Sequence, residues 1–247
     1  RSITSWCFPM SNARGDLLRG VSDGEMSPTA IDGYDAPTSY EGYQLVWSDE
    51  FDGGALDLDS WQHELGTGWK GWGNNELQYY RAKNTQVANG LLVIEAKAER
   101  FAGKKYTSSR IRTKGQRFFR YGRVDIRARL PSGRGLWPAL WMLGETIDDV
   151  GWPACGEIDI MEHWGSKQNF VQSAMHTPSS HGGTINHGGQ VIGTASMQFH
   201  VYEMDWQRDK IIFRVDGVEH YRYAPKVRNS STWPYASEQY LLLNVAI

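Results

Sequence analysis

The chain has 247 residues, with 26 Lys and Arg against 28 Asp and Glu, which gives a formal net charge of −2. This balance lacks the basic face that nucleic acids or anionic membranes require, so neither partner is expected. No apolar run approaches the roughly 20 residues of a membrane-spanning helix. The 11 Trp and 27 Gly favour strands and tight turns. Cys7 and Cys155 form no disulfide framework, and a single bridge between them is left open.

Residues 1–42 are rich in Gly, Ser, Asp and Pro and lack sustained periodicity, which predicts an irregular N-terminal extension. From Tyr43 onward, short β-prone runs alternate with turn signals. The clearest runs are 91–98, 121–130, 210–215, 218–223 and 239–247. The Asp-Gly pair at 216–217 is a strong hairpin signal. With no long helical periodicity and no internal repeat, the chain is predicted to be an all-β sandwich or barrel.

Three acids fall within six residues of one predicted strand: Glu157, Asp159 and Glu162. A strand period of two places Glu157 and Asp159 on one face. Glu162, five residues after Glu157, would point to the opposite face of an unbroken strand. A β-bulge at Met161 returns it to the face of the other two acids. A structural strand gains nothing from three mutually repelling carboxyls, so the arrangement indicates chemistry.

Hydrolysis of a glycoside with retention of configuration needs such a cluster. One carboxylate attacks the anomeric carbon, and a second carboxyl about 5–5.5 Å away protonates the leaving oxygen. A neighbouring negative charge keeps that second group protonated near neutral pH. The alternatives are an acidic strand edge or a calcium site. The flanking Ile158 and Ile160 indicate a buried strand rather than a metal loop, so no metal is predicted at the trio.

The run Glu157–Glu162 resembles the active-site signature of glycoside hydrolase family 16. Its six-residue form is similar to that of the laminarinase-like branch, the endo-β-1,3-glucanases. Four further segments are similar to sequences of the family, so the resemblance covers about residues 43–247. These segments are 45–52, 72–80, 106–113 and 136–143.

The resemblance implies a β-jelly-roll over residues 43–247, in which two bent antiparallel sheets form a concanavalin A-like sandwich with a concave glycan cleft. It implies that Glu157 is the nucleophile, Asp159 its assisting acid and Glu162 the general acid/base. It also implies substrate contacts from Asn75, Arg110, Trp137, Trp141 and His176. Catalysis then needs no cofactor, although a structural calcium ion is often found in the family. A secreted monomer acting on a polysaccharide is expected, with the signal peptide outside this chain.

The residues support these contacts to different degrees. Trp137 and Trp141 are four apart in a strand and share a face, where indoles can stack on sugar rings. Core packing is the alternative for this pair, but the aliphatic opposite face is the better core candidate. His176 is expected to hydrogen-bond a carboxyl of the trio. Arg110 either donates to a sugar hydroxyl or pairs with an acid, and Asn74 and Glu76 compete with Asn75 for the remaining contact.

Two departures from the family pattern carry expectations. The family usually continues past a segment like 241–247 with a Gly-rich loop and a closing strand. We therefore expect either a C-terminal truncation or an N-terminal extension that takes over the space. Cys155 stands where a small neutral residue is ordinary, and a bridge to Cys7 would pin the extension near the cleft.

The function expected from the sequence is retaining endo-β-1,3-glucanase activity on laminarin-type glucans. Alternatives within the family are action on mixed-linkage β-1,3-1,4-glucan or on a red-algal galactan, and transglycosylation, in which a sugar intercepts the covalent intermediate. A β-glucan-binding module without turnover is the alternative from another class. Retention of all three acids argues against such a module.

Overall fold

The computed structural model describes residues 3–7 and 33–247. The strands in chain order are β1 (Ile3–Cys7), β2 (Gln44–Asp49), β3 (Gln62–Glu64), β4 (Gln78–Tyr80), β5 (Thr85–Ala88), β6 (Leu91–Ile94), β7 (Tyr106–Ser108), β8 (Arg110–Arg112), β9 (Gly122–Ala128), β10 (Trp137–Gly144), β11 (Glu157–His163), β12 (Phe170–His176), β13 (His187–Val191), β14 (His200–Trp206), β15 (Ile211–Val215), β16 (Val218–Tyr223) and β17 (Gln239–Ala246). Helical segments in the described residues are short: α1 (Ile147–Val150), two 3₁₀ turns (Ala82–Asn84 and Gly165–Lys167) and one π-type turn (Gly71–Asn75). None of these helices is long and apolar enough to cross a membrane.

Two antiparallel sheets make up the sandwich. The six-stranded sheet has the order β16-β15-β14-β9-β1-β2, and the seven-stranded sheet has the order β13-β12-β11-β10-β17-β8-β3. Two-stranded sheets, β4-β7 and β5-β6, complete the described strands. The main core lies between the large sheets, where Met204 and Phe213 of one sheet meet Met142 and Ile158 of the other, all of them fully buried. The all-β jelly-roll prediction is confirmed.

Most predicted strands are present with small changes of length. The run 121–130 is shortened to β9, and the run 91–98 to β6. The Asp-Gly hairpin joins β15 and β16 as predicted, with both turn residues at positive φ.

The N-terminal segment corrects one prediction. Residues 3–7, expected to be irregular, form β1 and pair antiparallel with both β2 and β9. Ile3 and Ser5 alternate toward the interior and are 2% exposed. Five residues carry too little periodicity to predict a strand, and the strands that pair with them lie far away in sequence. The described residues 33–42 are irregular, as expected, and the other residues of the predicted extension lie outside the described part.

The structure answers the question of a bridge between the two cysteines, which the sequence left open. Cys155 is a buried free thiol. It packs with Leu143, Tyr240 and Leu242 in a small apolar cluster. Cys155 is therefore part of the packing behind the end of β11 and does not anchor the N-terminal segment.

Candidate active site

The catalytic strand predicted from the acid spacing is β11, and it contains a bulge, but the extra residue opposite β10 is Ile160 and not the predicted Met161. Opposite β10, Trp141 pairs with Asp159 and Leu140 pairs with Met161, so Ile160 has no opposite residue. Ile160 and Met161 are both buried in the main core. The extra residue turns Glu162 to the face of the other two acids, as the spacing predicted.

The three acids therefore line one cleft of about 1090 Å³. Their partners on β10 lie on the same cleft face: Leu143 opposite Glu157, Trp141 opposite Asp159, and Ala139 opposite Glu162. On the other side, β12 contributes Gln172, Ala174 and His176 to the cleft. The bulged strand thus occupies the middle of the cleft floor.

Tryptophan side chains hold the two outer carboxyls. Trp152 Nε1 donates to Glu157 Oε2 at 2.9 Å. Trp137 Nε1 donates to Glu162 Oε1 at 3.0 Å. An N–H donor favours the ionised form of the carboxylate that accepts it. Each bond also fixes the direction in which its carboxyl group faces the cleft.

His176 lies beside the trio, while the hydrogen bond expected from the sequence remains a prediction. Its Nε2 lies 3.1 Å from Asp159 Oδ2 and 3.5 Å from Glu157 Oε1. Its Nδ1 accepts the backbone N–H of Gly182 at 3.1 Å. Because Nδ1 is an acceptor, the imidazole hydrogen must be on Nε2, which points at the two carboxyls. The Nε2–H of His176 therefore lies within ion-pair distance of both the nucleophile and the assisting acid, although Asp159 Oδ2 has no hydrogen-bond partner among the described residues.

The electrostatics of the trio follow from burial and mutual repulsion. The pKa of Glu157 is raised to about 8, chiefly by burial and then by the charge of Asp159, while His176 and Trp152 act in the opposite direction. Burial also raises the pKa of Asp159 and that of Glu162, and repulsion from Asp159 adds to the latter. The three groups therefore do not all ionise at neutral pH. A proton is retained in the cluster, as an acid catalyst requires.

One group in the described residues has ligand atoms close enough to hold a metal ion, and it consists of Glu157, Asp159 and His176. The hydrogen bonding does not fit a metal. A histidine that binds a metal through Nε2 carries its hydrogen on Nδ1 and donates it. Here Nδ1 of His176 accepts a hydrogen bond from Gly182. The trio remains a carboxyl site, and the structural calcium implied by the family resemblance remains a prediction.

The predicted tryptophan pair lies in the cleft. Trp137 and Trp141 both line it, while Leu140 and Met142 on the opposite face of β10 are buried in the core. Trp137 stacks on Trp164 with ring centroids 6.0 Å apart. Trp141 Nε1 donates to Asn244 Oδ1 at 2.7 Å. The aromatic walls of the cleft are completed by Trp69, Trp72 and Trp152.

Arg110 shows one of the two roles left open by the sequence, which is pairing with an acid, and its contact with a sugar hydroxyl remains a prediction. It is buried and forms an ion pair with Glu64. Its guanidinium also lies 4.7 Å from the ring centroids of both Trp72 and Trp141, and it lines the cleft. A cation over an indole face is attracted to the ring. Arg110 thus links Trp72 and Trp141 in the wall of the cleft.

The structure places Asn75 differently from its neighbours. Asn75 is exposed and does not line the cleft, whereas Asn74 and Glu76 do. Lys70, Trp72 and Asn75 all have positive φ in this loop, and such a path cannot be predicted from residue types alone. The substrate contact of Asn75 remains a prediction.

Sequence reasoning left Glu76 as a competing choice and did not single out Asn244. Glu76 is buried and accepts hydrogen bonds from Gln78 at 2.5 Å and from Tyr80 at 2.9 Å. Asn244 Nδ2 donates to the Tyr80 hydroxyl at 3.3 Å. The signal for this network is Asn244, a single polar residue within the apolar run 240–247.

The antiparallel sandwich with a buried carboxyl trio in an aromatic cleft defines a glycoside hydrolase. The chain belongs to the glycosyl hydrolases family 16, whose family model matches residues 73–246. The family assignment made from the acid run and its companion segments is confirmed.

Relatives of known name support the assignment. The chain is 43% identical over 218 residues to a beta-glucanase of Rhodothermus marinus, covering 83% of this chain and 75% of that protein. It is 34% identical to a glucan endo-1,3-beta-glucosidase of Cryptopygus antarcticus, covering 82% of this chain and 80% of that protein. The crystal structure of a laminarinase from Flavobacterium sp. UMI-01 superposes with a TM-score of 0.79 at 46% identity, covering 83% of this chain and 88% of that chain.

Proposed function

We propose that this protein is a retaining endo-β-1,3-glucanase that hydrolyses laminarin-type glucans. The observation that carries the proposal is the bulged strand β11, which brings Glu157, Asp159 and Glu162 onto the floor of one aromatic cleft. The names of the relatives, which include a laminarinase and a glucan endo-1,3-beta-glucosidase, support the substrate class.

In the first step the Glu157 carboxylate attacks the anomeric carbon of the sugar. Glu162 gives its proton to the glycosidic oxygen as the carbon–oxygen bond breaks, so the leaving chain departs as an alcohol. Trp152 and the Nε2–H of His176 favour the ionised form of Glu157. Asp159 lies beside Glu157 and His176. It carries a charge or a proton as Glu157 changes from a carboxylate to an ester.

In the second step water resolves the glycosyl-enzyme ester. The Glu162 carboxylate, now ionised, takes a proton from water, and the hydroxide oxygen bonds to the anomeric carbon. Glu157 leaves as a carboxylate, and Glu162 is again protonated. Two inversions at one carbon give a product of the same configuration as the substrate.

The cleft suits a neutral polymer. The chain has a formal charge of −2, so there is no strong field to attract a charged glycan. Stacking on the cleft indoles and hydrogen bonds to hydroxyls supply recognition instead. A secreted, monomeric protein fits this substrate, because the polymer is too large to enter a cell.

Product analysis on purified laminarin, lichenan, agarose, carrageenan and xyloglucan tests the proposal. Short oligosaccharides from laminarin, formed early from internal cleavage, are expected. Faster cleavage of lichenan or of a galactan would move the substrate to one of the family alternatives. Turnover that survives in Glu157→Ala would remove the nucleophile assignment, and absence of turnover on all five glycans would favour a binding module.

A further inference from the structure

We propose that Ser173 is a positioning residue for the general acid/base Glu162. It acts by holding the carbonyl of Ile160, the extra residue of the β11 bulge. The inference rests on the proposed function, because it takes the proton-transfer role of Glu162 from that mechanism. No part of the mechanism above uses Ser173.

The bulge puts one buried residue of β11 out of register with both neighbouring strands. Ile160 has no opposite residue on β10. On β12, Asp159 pairs with Ala174 and Glu162 with Gln172, so neither Ile160 nor Met161 is in register with a partner. Ile160 is buried, so its unpaired carbonyl would cost free energy.

Ser173 satisfies this carbonyl. It stands on β12 between the two paired positions and is fully buried. Its Oγ donates to Ile160 O at 2.7 Å. A carbonyl can only accept, so the hydroxyl hydrogen is committed to this bond.

A second contact holds the hydroxyl from the opposite sheet. His220 on β16 has its Nε2 2.9 Å from Ser173 Oγ. Because the serine hydrogen is used on Ile160, the His220 Nε2–H must be the donor. Its Nδ1 lies 3.3 Å from Gln190 Nε2 and accepts from that amide. Burial lowers the pKa of His220 to about 4, which is consistent with a neutral ring of this tautomer.

These hydrogen bonds connect His220 of the six-stranded sheet, through Ser173, to the backbone carbonyl of Ile160 in β11. Removing the Ser173 hydroxyl takes a hydrogen-bond donor from the buried Ile160 carbonyl and the acceptor from the partly buried His220 N–H. The bulge then loses the contact that compensates it. Glu162 follows two residues later, and its direction depends on the bulge, because a one-residue slip sends a side chain to the other face.

The first test compares two substrates in Ser173→Ala. On laminarin, whose leaving alcohol needs a proton, kcat/KM should fall about 10- to 100-fold, the range expected from a displaced catalytic group. On a dinitrophenyl β-glycoside of a 1,3-glucan oligosaccharide, whose leaving group needs no proton, kcat/KM should change less than about threefold. Ser173→Thr keeps the hydroxyl and should restore laminarin cleavage to within about threefold of the wild type.

The matched control is Ser108→Ala, the same change at a fully buried serine whose Oγ has no hydrogen-bond partner among the described residues. It should leave both rates unchanged. Equal losses on the two substrates in Ser173→Ala, or a laminarin rate within twofold of the wild type, would overturn the inference.

His220→Leu gives an independent answer if the Ser173→Ala chain does not fold. It keeps the Ser173–Ile160 hydrogen bond but removes the one from His220 to Ser173. Laminarin cleavage should therefore fall at least about threefold more than aryl-glycoside cleavage. The same ratio as the wild type would overturn the inference. The wild type is assayed first, and failure to cleave laminarin would contradict the proposed function. If the wild type cleaves laminarin and Ser173→Ala does so at the same rate, only this inference is contradicted.

Discussion

The indole N–H of Trp152 donates a hydrogen bond of 2.9 Å to Glu157 Oε2, so the nucleophile is held by a side chain only five residues before it. Trp152 is 45% exposed and also packs against the rings of His176 and His181. One indole thus connects the cleft wall, His176 and the attacking carboxylate.

Trp152→Phe should move the acid limb of the pH profile of kcat/KM to higher pH. The indole N–H stabilises the carboxylate form, so its loss raises the pKa of Glu157, which is already raised to about 8 by burial and by Asp159. A hydrogen bond to a charged group contributes about 1.5–3 kcal/mol, which corresponds to a shift of about one unit or more. An acid limb that stays in place, or moves to lower pH, would show that this bond does not govern ionisation of the nucleophile.

The raised pKa of Glu157 predicts that this residue destabilises the folded state by an amount that depends on pH. The folded-state pKa of Glu157 is raised from 4.5 to about 8, so the folded state binds more protons than the unfolded state within this window. Stability therefore falls as pH rises through the window. Glu157→Gln removes this contribution, so its Tm should exceed that of the wild type by an amount that grows with pH.

Thermal unfolding of the two proteins between about pH 5 and about pH 8.5 measures the difference. Each kcal/mol relieved should raise Tm by about 2–4 °C in a domain of this size. A Tm difference that is constant with pH would mean that Glu157 does not titrate abnormally in the folded state.

Trp137→Ala should weaken oligosaccharide binding by about 1–3 kcal/mol, because an indole face is lost from the cleft. The measurement is calorimetric binding of a laminarin oligosaccharide in a Glu157→Gln background, which prevents turnover. Phe101→Ala, an aromatic truncation at a partly exposed position that does not line the cleft, is the control. Equal affinities of the two variants would assign Trp137 to packing alone.

Strand β1 should contribute to stability through Ile3. This side chain is 2% exposed in the main core, and its strand fills the place between β2 and β9. Ile3→Ala should lower the free energy of unfolding by about 2–5 kcal/mol. Val46→Ala on β2, where the side chain is 52% exposed, should cost less than about 0.5 kcal/mol. If denaturant unfolding gives the same value for both, β1 is not an integral strand.

Residue spacing within single strands predicted the features that depend on strand alternation alone. The five-residue spacing of Glu157 and Glu162 required a bulge, because strand alternation would otherwise bury a carboxyl in the core. Strand alternation also distinguished the aliphatic face of β10, which lies in the core, from its aromatic face, which lines the cleft. The placements of Arg110 and Asn75 needed more than local patterns, since Arg110 lies between indoles 38 positions before and 31 positions after it in the chain.

The most direct test of the account is proton NMR of the first products released from laminarin by the wild-type protein. The new reducing ends should appear as the β anomer and convert to the α anomer only by later mutarotation, because Glu157 forms a covalent intermediate that water resolves from the same face. Initial appearance of the α anomer would contradict the nucleophile and acid/base roles assigned to Glu157 and Glu162.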